Sequence, residues 1–260
     1  VNGATSKSGF TYPNSQATDG WGFQIALPQK EAASESAGAV AYDGAGTENK
    51  LFIVTETGPE TPILKTINRG FSSVDEMLAT PGFTWAHRGN SPRYAEMSMH
   101  AYTQAVVRGY GALEVSCART SDGVWFGLHD QTLDRTSSVG GNLNPQSMTW
   151  AQVQGYQNTI SLDGKAQPYA RLDAIIEQYS DTHILILDQK YAWSWEDEML
   201  DICESLMPRA IFKSVWSGVT AGNKAFARGI PTWGYLYESE TSDPAYASKV
   251  APWTILGMEH

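Results

Sequence analysis

The feature that most constrains this chain is an alternation, from Phe83 onward, of short apolar runs with stretches at helical spacing. The run Phe83-Thr84-Trp85-Ala86 leads into His87-Arg88-Gly89, after which Ala95, Met99, Tyr102 and Val106 recur with the helical period until Gly109 and Gly111 end the helix. Leu113, Val115 and Cys117 then alternate with Glu114 and Ser116, so the next strand turns an apolar face to its packing partners and presents Glu114 and Ser116 together on the other. Residues 124–128 read as a strand delivering His129-Asp130, and residues 172–179 as a helix. Residues 184–187 read as a buried strand ending in Asp188-Gln189-Lys190, whose outer two residues share a face. A helix over 195–207, strand 210–215, helix 221–228, strand 232–237, helix 246–250 and strand 253–257 follow. Seven strand candidates after residue 82 predict an α/β fold, a TIM-type (β/α)8 barrel lacking its last helix and strand.

Upstream the pattern is different. Residues 1–48 are rich in Gly, Ser, Ala, Thr and Asn and read as an extended arm; residues 51–55 form a short buried strand stopped by Gly58-Pro59, and residues 73–78 form one helix. A boundary near Pro81-Gly82 divides an N-terminal extension, 1–82, from the barrel, 83–260. Seven strands leave unpaired edge groups, so residues 1–82, another subunit or further chain is expected to cover the open side.

With 42% hydrophobic residues in 260, the chain can fill one barrel core. Its net charge of −10, from 18 Lys and Arg against 28 Asp and Glu, offers no basic field for nucleic acid. No stretch approaches the roughly 20 apolar residues of a membrane span. The N-terminus lacks a signal-peptide pattern, but with a start at Val1 the expectation is that something upstream was cleaved, removed or left out, which leaves the compartment open. Cys117 and Cys203 are too few for a disulfide framework and read as buried thiols.

Polar residues collect at successive strand ends: His87 and Arg88, then Glu114, then His129 and Asp130, then Asp188 and Lys190. In a barrel these ends form the active-site face. Two imidazoles, carboxylates, an Arg and a Lys together suit phosphate-ester chemistry, with cations on phosphate oxygens, carboxylates on a divalent metal and imidazoles moving protons.

The order and spacing of His87-Arg88-Gly89, Ala95-Glu96-Met97-Ser98, Gly111-Ala112-Leu113-Glu114-Val115-Ser116 and His129-Asp130-Gln131-Thr132-Leu133-Asp134-Arg135-Thr136 resemble the glycerophosphodiester phosphodiesterase family. The resemblance continues through Met148-Thr149-Trp150 and Leu187-Asp188-Gln189-Lys190 and covers residues 83–190, whereas residues 1–82 have no counterpart. It implies a (β/α)8 barrel hydrolysing glycerophosphodiesters, or a glycerol-phosphate polymer such as teichoic acid, with one divalent cation, Mg²⁺ or Ca²⁺. By matching position, His87 and His129 become the acid–base pair, Arg88 and Lys190 phosphate contacts, and Glu114 and Asp188 metal ligands.

Departures accompany it. Asp188 stands where the family usually has Glu, Ala95 and Met97 replace a Pro and an Asn, and Ser116 replaces the Asp of the Glu-x-Asp ligand pair. A neutral hydroxyl there predicts a weaker hold on a hard cation, unless Glu96, Asp130, Glu238 or Glu259 substitutes. The alternative expectation is a catalytically impaired binding or adhesion domain of a larger assembly such as a phage tail, which favours an extracellular or virion-associated setting over the cytoplasm.

Overall fold

The computed structural model describes residues 70–215 and 217–258, together with three short strands upstream: β1 (Ala39–Asp43), β2 (Lys50–Thr55) and β3 (Gly58–Pro59). The chain divides into two units, Val1–Asn68 and Arg69–His260. In the first, β1, β2 and β3 form an antiparallel sheet. The strand expected over 51–55 is β2, and Gly58-Pro59, expected only to end it, pairs back onto it as β3.

The second unit opens with α1 (Val74–Ala79), whose first turn is capped by the Ser73 hydroxyl accepting the Glu76 N–H. It continues through β4 (Trp85–Ala86), α2 (Met99–Val107), β5 (Ala112–Arg119), β6 (Trp125–Gly127), α3 (Asp134–Ser137) and α4 (Trp150–Val153). Then come β7 (Gln157–Asn158), β8 (Gln167–Pro168), α5 (Leu172–Tyr179), β9 (Ile184–Gln189), α6 (Glu196–Ser205), β10 (Ala210–Val215), α7 (Val219–Ala227), β11 (Thr232–Leu236), α8 (Tyr246–Val250) and β12 (Ile255–Met258). Six strands run parallel in the order β4, β5, β9, β10, β11, β12, a curled half-barrel of the TIM type with helices between successive strands.

The seventh strand candidate is placed differently. Residues 125–127 pair antiparallel with β5, as a hairpin arm and not as a barrel strand. The reason is length: residues 120–124 make a tight turn, whereas a crossover to a parallel neighbour needs a dozen or more residues. The described barrel sheet therefore holds six parallel strands where the sequence pattern suggested seven. Trp253, expected in the last strand, precedes β12, and its ring lies against Gly222 and Gly234, where an added Cβ would come within 2.9 and 2.7 Å of it. Those glycines make room for an indole.

The two faces of the sheet carry different chemistry. Leu113, Val115, Cys117, Leu185, Leu187 and Phe212 face outward and pack with Tyr102, Ile175, Met199, Leu200 and Ala225 of the surrounding helices. On the inner face Ala112, Ile184, Ile186, Ile211 and Trp233 form an apolar floor at the N-terminal half of the strands, covered by Val74 and Met77 of α1. Above that floor the inner face turns polar, with Glu114, Ser116, Asp188 and Lys213 all buried. Cys117 and Cys203 are buried free thiols. Among the described residues no helix is long and apolar enough to cross a membrane.

One buried histidine sets an acid limit on stability. His183, 4% exposed just before β9, pairs its Nδ1 with the Thr182 hydroxyl at 2.8 Å, and burial pulls its pKa from 6.5 down to about 4. The unfolded chain therefore takes up this proton first as pH falls, so the contribution is complete above pH 6.5 and is lost between 6.5 and about 4. Urea unfolding is expected to show roughly 2–3 kcal/mol less of this contribution at pH 4.5 than at pH 7.5. A His183→Gln variant should lack that part of the pH slope; an unchanged slope would remove His183 as its source.

Candidate active site

The site is built where the strands end. After β4 the chain makes a tight turn, His87–Gly89, with Arg88 in the left-handed region at φ 52°. Such backbone is uncommon for a side-chain-bearing residue and is held by its surroundings. Here the Arg88 N–H donates to Glu114 Oε2 at 3.2 Å, and Gly89 lies so close to α2 that a Cβ would be 2.9 Å from that of Ala101. His87 Nε2 lies 3.5 Å from the same Glu114 oxygen, while 59% of its side chain stays exposed. Burial pulls the His87 pKa below its ordinary value, with Glu114 opposing.

Ser116 on β5, Asp188 on β9 and Lys213 on β10 are register neighbours, forming one row across three adjacent strands. The Lys213 ammonium bridges two carboxylates, donating to Glu114 Oε1 and lying 3.2 Å from Asp188 Oδ2. Lys190 approaches that same Asp188 oxygen at 2.7 Å. Trp233 and Tyr235 place their rings 4.9 and 5.4 Å from the Lys213 nitrogen, an arrangement that adds cation–π attraction. Burial opposes the charge on Lys213, but Asp188 and Glu114 outweigh it and hold its pKa above the usual lysine value. The Ser116 hydroxyl is fully buried and has no hydrogen-bond partner among the described residues.

The hairpin brings the second imidazole. The Leu128 N–H donates to the Ser116 carbonyl at 2.9 Å, which fixes the strand from which His129 leaves. His129 Nδ1 lies 2.9 Å from Asp130 Oδ1; Asp130 Oδ2 accepts from Arg135 Nε at 2.5 Å. Arg135 in turn donates to Glu96 at 2.6 Å, and Glu96 accepts from Arg88 at 3.3 Å. A continuous chain of charge-assisted bonds thus joins His129 to Arg88. Burial raises the Asp130 pKa, but Arg135 and His129 outweigh this and keep it below the usual carboxylate range. Burial lowers that of His129, the bond to Asp130 opposes, and Arg88 and Lys190 lower it further by their charge.

His87, Arg88, Glu114, Asp188 and Lys190 are accordingly brought to one end of the sheet through shared contacts, with His129 in the electrostatic reach of Arg88 and Lys190. Glu96 and Asp130, considered as substitute metal ligands, are instead paired with arginines. The Glu238 side chain and Glu259 lie outside the described residues. Lys213 was missed by sequence reasoning, although a signal existed: a Lys in the middle of an otherwise apolar strand of a parallel sheet, where lysines are almost never buried unless paired.

The donor set does not fit a hard divalent cation. Such an ion takes several oxygen ligands, with carboxylates supplying the charge. Here Glu114 and Asp188 are both engaged by an ammonium, and the third position is a neutral Ser116. Among the described residues no group of three or more His, Cys, Asp or Glu side chains is placed to hold a metal.

The six described parallel strands with helices between them define a (β/α) half-barrel of the TIM type, with charged side chains gathered at one end. The chain belongs to the glycerophosphoryl diester phosphodiesterase family, whose model matches residues 87–258. A probable glycerophosphodiester phosphodiesterase 1 of Mycobacterium tuberculosis is 39% identical over 80 residues, 31% of this chain and 28% of that protein. The chain thus aligns with well under half of that relative's length. A glycerophosphodiester phosphodiesterase of Thermotoga maritima has the same fold with a TM-score of 0.54 at 20% identity, covering 68% of this chain and 72% of that one. An Oleispira antarctica phosphodiesterase, solved in complex with the product sn-glycerol-3-phosphate, has a TM-score of 0.55 at 18% identity, covering 68% and 74%.

Proposed function

We propose that this chain hydrolyses glycerophosphodiesters, with His87 and His129 as the acid–base pair and Arg88 and Lys190 as phosphate contacts. The observation that carries the reading is the gathering of two imidazoles and two cationic side chains at one end of the sheet. Family membership and the product bound to the Oleispira relative point to the same substrate class.

In this reading one neutral imidazole takes a proton from water as its oxygen bonds to phosphorus. The bond from phosphorus to the departing alcohol breaks, and the other imidazole, protonated, gives its proton to that oxygen. One water is consumed, and a phosphomonoester and an alcohol are released. Arg88 and Lys190 stabilise the charge on the phosphoryl oxygens, while Asp130 orients His129 through Nδ1 and leaves Nε2 for the reaction. No step uses a bound metal, since Glu114 and Asp188 are paired with Lys213. A glycerol-phosphate polymer such as teichoic acid presents the same linkage and is the natural extension of this substrate class.

Incubation with glycerophosphocholine, followed by enzymatic assay of glycerol 3-phosphate, tests the reading. Release above that of a His87→Ala, His129→Ala double variant is expected. Equal, background release from both proteins, in EDTA and in added Mg²⁺ or Ca²⁺ alike, would overturn it.

A further inference from the structure

We propose that the Lys213 ammonium is itself the cation of this site, a built-in replacement for the divalent ion that family membership leads one to expect; the catalytic part of this inference rests on the phosphodiesterase reading above. Three observations carry it. The Lys213 nitrogen donates to Glu114 Oε1 and forms an ion pair with Asp188 Oδ2 at 3.2 Å, and these are the two carboxylates that the resemblance assigns to the metal. An ion bound to those same oxygens would compete with the ammonium for them. The position that should provide a third carboxylate holds Ser116, in register with Asp188 and, through it, with Lys213.

The two departures compensate each other in charge. With Lys190, which stands beside Asp188 in either arrangement, left out of both counts, three carboxylates around a doubly charged ion leave one net negative charge, as do Glu114 and Asp188 around the Lys213 ammonium. Ser116 without Lys213 would leave the buried Glu114 without an ammonium partner while Asp188 kept Lys190, and Lys213 with a third carboxylate would leave the site over-supplied with acid. The Ser116 hydroxyl, fully buried with no hydrogen-bond partner among the described residues, is what remains where the third acid would stand. Lys213 is not free to swing aside at little expense, because its nitrogen is packed near Trp233 and Tyr235 and its strand lies between β9 and β11. Its contribution to the reaction is a fixed positive charge that keeps Glu114 and Asp188 from repelling a phosphodiester anion.

The test uses the metal alone as well as the reaction. Protein dialysed against EDTA is titrated calorimetrically with Ca²⁺ and Mg²⁺, alongside a Ser116→Asp, Lys213→Ser double variant. Wild type is expected to show no site, and the double variant to bind at least about tenfold more tightly. Glycerophosphocholine hydrolysis by wild type is expected to be unchanged by EDTA. Stoichiometric binding of either ion by wild type, abolished in Glu114→Gln, overturns the inference, and so does hydrolysis that EDTA abolishes and metal restores. The wild-type arms decide the matter if the double variant misfolds. If no protein hydrolyses substrate, the phosphodiesterase reading fails separately, and the titrations still show whether Lys213 holds the cation position.

Discussion

Replacing His129 with alanine is expected to lower kcat for glycerophosphodiester hydrolysis by about 10²–10⁴, the usual worth of a positioned acid or base, with KM little changed. The side chain is 30% exposed at the rim of the site, and the Asp130–Arg135–Glu96 chain behind it leaves one ring nitrogen committed and the other open. Loss of the ring should not unfold the protein, because the hairpin is held by the backbone bond from Leu128 to Ser116 and by the β5–β6 ladder. His87→Ala is expected to fall in the same range, and the double variant to lose less than the product of the two, since acid and base act in one step. Full turnover by either single variant, with unchanged circular dichroism, would remove that imidazole from the mechanism.

Lys213→Met is expected to be the most destabilising single change in the site, by about 3 kcal/mol or more, because removing one partner of a buried ion pair leaves the other without compensation. Asp188 keeps Lys190, but among the described residues Glu114, 1% exposed, retains only the His87 imidazole and the Arg88 N–H. For a unit of this size the loss corresponds to a fall of roughly 10 °C in thermal midpoint. Adding Glu114→Gln should recover much of it, since the orphaned charge is then gone. Strictly additive effects in that cycle would show that the two side chains are not coupled in the folded state.

Much of this could be read from the chain. Alternation of Leu113, Val115 and Cys117 with Glu114 and Ser116 determined which side of β5 packs on helices and which carries polar groups, because side chains in a strand alternate faces whatever surrounds them. The same rule put Asp188 and Lys190 on one face, and their side chains meet at 2.7 Å, whereas the all-apolar run before them left open which face of β9 points inward. Helix α5 formed over the residues that its period indicated, and α1 began where Ser73 could cap it.

Other features were decided only in three dimensions. Residues 125–127 have the composition of a barrel strand, and the short turn before them made them an antiparallel arm, since no parallel crossover fits in that length. Glu96, Asp130 and Arg135 lie up to 39 residues apart in the chain, and their network is a product of loop packing that no local pattern encodes. Lys213 stands 99 residues from Glu114. Its type and strand position were visible in the chain, but its pairing depends on strand order: β10 neighbours β9, and β9 neighbours β5. Local spacing determined which groups face inward, whereas the register between strands decided that a lysine meets two carboxylates there, because charge pairing depends on distance through space and not along the chain.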